Sequence, residues 1–180
     1  MSCFSLVRPL LGLLAGLSLI LLPTFGQAAP PKPEEVKFDT ADKVELHGTF
    51  YASGKNKSPC VILVHKIGGN RQQQGLEKLA RALQESNYAV LSFDLRGHGD
   101  STSVERTFWQ VPTNATLIRG ANISKEKISY RDFAPTYYPM LANDLSAAKR
   151  YLDQQNNAGS CNSSNTIVIG AEEGAAIGAL

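Results

Sequence analysis

Short apolar runs and amphipathic helical patterns alternate along residues 36–180. Two early runs predict strands, and the second has the alternation of a half-buried antiparallel strand. Three later runs are continuously apolar, as strands covered on both faces are. The five strands are predicted at residues 36–39, 44–51, 60–65, 89–93 and 166–169, and two helices at residues 76–83 and 141–155. This order predicts an α/β fold with a mostly parallel sheet and crossover helices.

Residues 102–140 fit this rhythm poorly, and we interpret them as an irregular insertion. The segment mixes prolines and polar residues with six aromatic side chains: Phe108, Trp109, Tyr130, Phe133, Tyr137 and Tyr138. Long excursions after a parallel strand often carry ligand-facing loops. The alternative, which the sequence favours, is a surface insertion whose aromatic residues pack back on the sheet.

Residues 1–28 have the order of a signal peptide. Arg8 precedes a short apolar run over residues 10–22, and small residues lead to a predicted cleavage site after Ala28. The run is short for a membrane span, so an uncleaved anchor is the weaker alternative. Residues 29–35 are predicted to be a proline-rich linker, and residues 36–180 form the domain. We therefore expect an exported protein, either secreted or periplasmic, without a stable membrane span after cleavage.

Charge and residue spacing argue against several classes of ligand. Removing the segment that contains Arg8 lowers the formal net charge from +2 to +1. The sequence has no block of basic residues, so nothing in it predicts nucleic-acid binding. The sequence shows no metal-ligand spacing or phosphate-binding loop, so we expect no cofactor and no metal.

Three motifs follow the three buried strands in order. His65-Lys66-Ile67-Gly68-Gly69 follows the first, and the run from Phe93 to Ser101, Phe-Asp-Leu-Arg-Gly-His-Gly-Asp-Ser, follows the second. Gly170-Ala171-Glu172-Glu173-Gly174 follows the third and has the outline of the G-x-S-x-G nucleophile elbow. Together they resemble the α/β-hydrolase superfamily, especially its esterase, lipase and serine-aminopeptidase-like members. The resemblance covers roughly residues 36–180.

The resemblance implies a role for each motif position. In the first motif, His65 matches the family, Lys66 replaces a glycine, and the backbone N–H of Ile67 would help to form an oxyanion hole. We expect His65 itself to hydrogen-bond neighbouring loops. In the elbow, the backbone N–H of Glu173 would be the second oxyanion-hole donor. Glu172 stands at the position of the nucleophilic serine.

The remaining motif residues are expected to shape the backbone. Asp94 and Arg96 look like a pair that locks a turn, and Gly97 and Gly99 permit the backbone to bend there. At the elbow, Gly170 and Gly174 are expected to allow the strand and the helix to approach closely, because glycine has no Cβ.

Glu172 has three interpretations. Haloalkane dehalogenases and epoxide hydrolases place an aspartate nucleophile here, because a carboxylate needs no base to activate it. Glutamate is one methylene longer, which matters in a positioned reaction. Alternatively, the carboxylate occupies the old oxyanion site of a pseudoenzyme, held by elbow N–H groups, or it caps the following helix. The sequence favours a non-catalytic or weakly catalytic role.

The family's acid and histidine would follow the elbow in the chain. All three histidines, His47, His65 and His98, precede it. We therefore expect this sequence to be the amino-terminal half of an α/β-hydrolase domain. A complete small binding module is the alternative.

Cys60 and Cys161 are the cysteines of the mature chain. The strand order of the family would make their strands neighbours, on the side of the sheet opposite the elbow. Export favours oxidation, so a disulfide and two free buried thiols both remain open.

The function expected from the sequence is hydrolysis of ester or amide bonds by an exported protein with a degenerate nucleophile elbow. The alternative is a non-catalytic extracytoplasmic binding or scaffold protein. The expected partner is a small molecule or an ester substrate that the sequence does not identify, and the sequence leaves the oligomeric state open.

Overall fold

The computed structural model describes residues 29–180, so the predicted signal peptide lies outside the described residues. A five-stranded sheet with strand order β1-β2-β4-β3-β5 forms the centre of the fold. Its strands are β1 (Glu34–Asp39), β2 (Glu45–Tyr51), β3 (Pro59–Val64), β4 (Ala89–Phe93) and β5 (Asn162–Gly170). The helices are α1 (Gln74–Glu85), α2 (Pro112–Leu117), α3 (Ala142–Asn157) and α4 (Glu173–Gly178).

The strand directions confirm the predicted α/β fold. β4, β3 and β5 run parallel, and β2 pairs with β4 and with β1 in antiparallel fashion. Four of the five strands therefore point the same way, and β2 is the exception. The carboxyl ends of β3 and β5 meet at the pair Val64 and Gly170. This register places the loop after β3 directly beside the loop after β5.

The two faces of the sheet bury different apolar clusters, because successive side chains of a strand point to opposite faces. Along β3, Val61 and Leu63 pack with Leu76 and Ala80 of α1. Ile62 and its neighbours on the other face join the larger cluster, which includes α3 and the insertion. Helices thus cover both faces of the parallel strands, as such sheets require.

Residues 102–140 contain α2, bridges and short 3-10 turns at Arg106–Gln110, Tyr130–Asp132 and Pro135–Leu141, the last of which ends one residue beyond the segment. Four of their aromatic side chains are buried in the larger cluster: Phe108, Trp109, Phe133 and Tyr137. Tyr130 and Tyr138 are only partly buried against it. Most of the aromatic residues therefore pack back on the sheet, and the remaining two stay accessible.

The structure differs from the sequence expectations at both edges of the sheet. Residues 34 and 35 belong to β1 rather than to the linker, because their backbones pair with β2. β5 was expected to be covered on both faces, but Ile167 is 47% exposed and Val168 is 39% exposed. The reason is its position at the end of the sheet, where it pairs only with β3 among the described strands.

Cys60 and Cys161 are both free and buried, so the bridged alternative is not what the structure shows. Cys60 lies in β3, and Cys161 directly precedes β5, whose first residue Asn162 is in register with Pro59. The contact with the Cys161 thiol and burial raise the pKa of the Cys60 thiol. Over residues 29–180, no helix is long and apolar enough to cross a membrane.

Candidate functional site

The turn between β5 and α4 holds Glu172 in an unusual backbone conformation. Its φ is 50° and its ψ is −119°, and few non-glycine residues adopt a positive φ. Conformations of this kind cost about 1–3 kcal/mol and persist only where the surroundings enforce them. The sharp strand-to-helix turn expected from the elbow motif is therefore present, with glutamate at its apex.

Close packing of two loops enforces this turn. A Cβ on Gly170 would collide with the backbone of Gly174 and Ala175. A Cβ on Gly174 would lie 2.6 Å from the carbonyl oxygen of His65. The Ala171 N–H also donates to the Val64 carbonyl at 2.9 Å. The elbow is thus seated directly on the end of β3.

The side chain of Glu172 contacts Lys66. Lys66 Nζ lies 3.2 Å from Glu172 Oε1, and the two side chains are 41% and 63% exposed. An exposed pair of this kind contributes about 0–1 kcal/mol. Within residues 29–180, Oε2 of Glu172 has no hydrogen-bond partner. Lys66 in the loop after β3 and Glu172 in the loop after β5 therefore bind each other.

This contact corrects two interpretations of Glu172. Glu172 is the N-cap residue of α4 by position, but its side chain makes no capping hydrogen bond. Its carboxylate also accepts nothing from the elbow N–H groups, because the carboxylate extends outward to Lys66 instead. Glu172 is therefore neither a helix cap nor an occupant of the oxyanion site.

The two predicted oxyanion-hole donors remain unused. The backbone N–H groups of Ile67 and Glu173 donate to no other residue of the part that the structure describes. Both residues line the same cavity of about 470 Å³, together with Tyr138, Pro139 and the residues Ala176, Ile177 and Leu180. The structure therefore brings the two donors together beside a largely apolar cavity.

His65 is fully buried, and both of its ring nitrogens are engaged. Nδ1 donates to the carbonyl oxygen of Lys66 at 2.7 Å, and Nε2 accepts from the Leu95 N–H at 3.0 Å. This pattern requires the neutral ring, and burial lowers the pKa of His65. His65 thus connects the loop after β3 to the loop after β4 and is not available as a catalytic base.

Asp94 and Arg96 do not bind each other, which corrects the predicted pair. Asp94 accepts from the Arg71 side chain, from the Arg71 N–H at 2.7 Å and from the Asp100 N–H at 3.0 Å. A Cβ on Gly99 would collide with the Asp94 carboxylate. Asp94 therefore joins the turn to the loop before α1 without contacting Arg96.

Arg96 connects the same turn to α3 and the insertion. It is fully buried, with Nε 2.7 Å from Asp144 Oδ1 and Nη1 2.6 Å from Asp42 Oδ2. Nη1 also donates to the hydroxyl of Tyr137 at 3.0 Å. Sequence reasoning missed Asp144 as the buried partner. The signal was present, since an acidic residue three positions after Leu141 falls on the apolar face of a helix.

The insertion reaches the first loop through Tyr130. The Tyr130 ring stacks on His98 with centroids 4.4 Å apart. A Cβ on Gly68 would lie 3.1 Å from the Tyr130 hydroxyl. The buried ring of His98 donates from Nδ1 to the Arg96 carbonyl at 2.9 Å, and burial lowers its pKa to about 4. Gly97 has φ 74°, and a Cβ there would lie 2.7 Å from the backbone nitrogen of Tyr130. The His98 ring is therefore neutral and has a structural role.

No histidine of the described chain contacts Glu172. His65 and His98 are engaged as above, and His47 binds Glu45 at 3.0 Å. Residues 29–180 also contain no cluster of side chains suited to a metal ion. The groups that the structure brings together at the elbow are thus the carboxylates of Glu172 and Glu173, the Lys66 ammonium, and two N–H groups that donate to no described residue.

Comparison with known proteins supports the fold and leaves the reaction open. No family model and no curated protein matches the chain. Solved structures do match: a complex of DcsB with its substrate analogue has a TM-score of 0.58 at 18% identity. The α/β hydrolase GrgF from Penicillium sp. sh18 has 0.57 at 16%, and the Pyrococcus furiosus esterase Pf2001 has 0.56 at 22%.

Each of these matches covers 82% of this chain but only 39%, 40% and 42% of the respective structure. The chain therefore spans about two fifths of the length of these hydrolase structures. Residues of this chain thus adopt the fold of the α/β-hydrolase superfamily.

Proposed function

We propose that this protein is an exported hydrolase of ester or amide bonds that works slowly through a degenerate nucleophile elbow. The observation that carries the proposal is the positive φ of Glu172 beside two N–H groups that donate to no described residue. A fold that keeps a strained turn and an unfilled donor pair without using them would retain two unfavourable features. Both features gain a role when a substrate carbonyl oxygen accepts from Ile67 and Glu173.

Attack by Glu172 itself is poorly supported. The carboxylate is largely exposed and is paired with Lys66, so attack on a carbonyl carbon would require loss of its hydration and of its partner. Such attack would form a mixed anhydride between Glu172 and the acyl group, and no histidine of residues 29–180 contacts Glu172 to activate water for hydrolysis of that intermediate. Turnover by this elbow is therefore expected to be far below that of a serine hydrolase.

The second candidate is a non-catalytic extracytoplasmic binding or scaffold protein on the same fold. The pairing of the exposed Glu172 carboxylate with Lys66 supports it. Under this candidate the wild-type protein binds an acyl compound without turnover, and only a variant with serine at position 172 gains esterase activity.

Export itself rests on the amino-terminal pattern. The charged start, the apolar run over residues 10–22 and the small residues before position 29 support cleavage after Ala28. Intact mass measurement of the protein from its native host tests this. A species that begins at Ala29 in the extracytoplasmic fraction agrees with export, and a full-length cytosolic species contradicts it.

The test of function compares ester hydrolysis by the wild type with that of a variant whose donor pair is disturbed. Gly174→Ala places a Cβ 2.6 Å from the His65 carbonyl, which forces the elbow away from the first loop. Gly75→Ala is the matched control, since its Cβ meets nothing within 4 Å. We expect phenyl-ester hydrolysis to fall at least tenfold in the first variant and to persist in the second.

A wild-type rate equal to that of buffer would contradict the hydrolase proposal. Calorimetric binding of an amide analogue by that inactive protein would then support the second candidate.

A further inference from the structure

We infer that Glu172 acts as a general base that activates water for attack on an acyl ester, and that the preferred substrates are esters with good leaving groups such as phenolates. This inference rests on the proposed hydrolase function and specifies the chemistry of the same site. It assigns to Glu172 neither the nucleophilic role of the motif position nor a capping role.

The covalent structure of glutamate excludes a direct copy of serine chemistry. A serine nucleophile carries its oxygen on Cβ, whereas glutamate carries a methylene, Cγ, at that point. A carbonyl group held by the Ile67 and Glu173 donors would therefore meet a carbon atom where the attacking oxygen is required. The carboxylate oxygens lie two bonds further from the backbone, and the proposed attacking water lies between the carboxylate and the carbonyl carbon.

The contact with Lys66 gives the carboxylate a defined orientation. Oε1 is held 3.2 Å from Lys66 Nζ, and Oε2 accepts nothing from the described chain. One oxygen is thereby anchored, and the other is free to accept a proton from water. Lys66 is a positioning residue in this arrangement, since it acts through Glu172.

The other titratable groups near the elbow are poorly placed to be the base. Both nitrogens of His65 are engaged, and His98 is 2% exposed under the Tyr130 ring. The exposed candidates in the described part of the elbow are Glu172 and its neighbour Glu173. Since Glu173 begins α4 and lacks the Lys66 contact, Glu172 is the better oriented of the two.

The proposed step balances without any further reactant than water. The water oxygen forms a bond to the carbonyl carbon while its proton moves to Glu172 Oε2, and the negative oxygen accepts from the Ile67 and Glu173 N–H groups. The tetrahedral intermediate then collapses with cleavage of the bond to the leaving group. The proton on Glu172 passes to the departing phenolate or to the product carboxylate, which regenerates the ionised base.

The first experiment measures hydrolysis of a phenyl acetate series by Glu172→Gln, which keeps the shape of the side chain and removes its basicity. A positioned general base contributes about 10²–10⁴-fold, so we expect a loss of about 10². Glu77→Gln is the matched control, because Glu77 is also exposed and paired, with Arg81 at 2.8 Å on α1. Unchanged hydrolysis in Glu172→Gln overturns the inference but leaves the hydrolase proposal standing, and loss in Glu173→Gln alone does the same.

The second experiment separates a general base from a nucleophile by a single turnover in ¹⁸O-labelled water with enzyme in excess. General base catalysis places the label in the product acid and none in the peptide that contains Glu172. Nucleophilic attack by Glu172 would form a mixed anhydride, whose hydrolysis at the glutamyl carbonyl places the label in that peptide, and this result would overturn the inference. A normal solvent deuterium isotope effect is expected for a proton in transfer, and its absence counts against the inference.

The third experiment tests the positioning role of Lys66. Lys66→Gln is expected to lower kcat several-fold with little change in KM, and Lys66→Arg is expected to restore kcat. A purely structural contribution would instead lower the stability of the fold and leave kcat per folded molecule unchanged. If the wild type shows no hydrolysis at all, the inference and the hydrolase proposal fail together.

Discussion

Replacing Glu172 by glycine is expected to yield a more stable protein than replacing it by alanine. At most positions the order is the reverse, because glycine has more conformational freedom in the unfolded chain. At residue 172, φ is 50° and ψ is −119°, and a side chain in such a region costs about 1–3 kcal/mol. Alanine keeps this strain and glycine removes it.

The magnitude follows from the opposing contributions. Both variants lose the exposed contact with Lys66 equally, so that contact cancels in the comparison. The unfolded-state advantage of alanine is about 0.4–1 kcal/mol. The glycine variant is therefore expected to be more stable by about 1 kcal/mol, which corresponds to about 2–4 °C in Tm for a chain of this size.

Urea unfolding of the two variants measures the difference, provided that the slope m is the same for both. Glu77 supplies the matched pair, since it is an exposed residue inside α1 with an ion-pair partner of its own. There alanine should exceed glycine by about 1 kcal/mol. The same order of alanine over glycine at both positions would refute the strained elbow.

Three further perturbations test the rest of the fold. Asp144→Ala leaves the fully buried Arg96 without one of its two carboxylate partners, and we expect thermal unfolding to reveal a loss of about 3–5 kcal/mol; a loss below 1 kcal/mol would contradict the buried network. The pKa of His98 is lowered to about 4 in the folded protein, against about 6.5 in the unfolded chain. The neutral His98 ring therefore stabilises the fold fully above pH 6.5, and this stabilisation, at most about 3 kcal/mol, is lost as the pH falls toward 4. Urea unfolding between these pH values should show a smaller loss of stability in His98→Gln than in the wild type. Cys60 and Cys161 are free and buried, so thiol titration of residues 29–180 without reductant should detect two thiols after unfolding and almost none before; no reactive thiol after unfolding would show a disulfide.

Periodicity predicted the sheet because its strands are short, apolar and bounded by turns. The strand Ala89–Phe93 was predicted to the residue, since all five of its side chains are buried. β5 is less regular, and its start at Asn162 was missed because Asn162, Ser163 and Ser164 are polar. Backbone pairing with β3 does not depend on those side chains, so no pattern of hydrophobicity could have shown it.

The site was predictable only where its function depends on the backbone. Glycine spacing located the elbow, because close approach excludes a Cβ whatever the chemistry. The partners of charged groups were not predictable, since they come from distant parts of the chain. Arg71 binds Asp94 across 23 positions, and Arg96 binds Asp144 across 48.

The pairing of Lys66 with Glu172 joins residues 106 positions apart and changes how the elbow should be tested. Each residue alone would disturb the electrostatics of the site. An unpaired Lys66 ammonium would attract anions, and an unpaired Glu172 carboxylate would add negative charge near the place where a substrate oxyanion must form. Together the charges of Lys66 and Glu172 cancel, so this pair adds no net charge beside the donors. Placing serine at position 172 alone would remove the ion-pair partner of Lys66. The double variant Lys66→Gly with Glu172→Ser is therefore the proper test of a retired serine site, and it should exceed the single serine variant in esterase activity. Equal activity of the two would show that Lys66 and Glu172 contribute independently, so the contact between them would have no part in the chemistry.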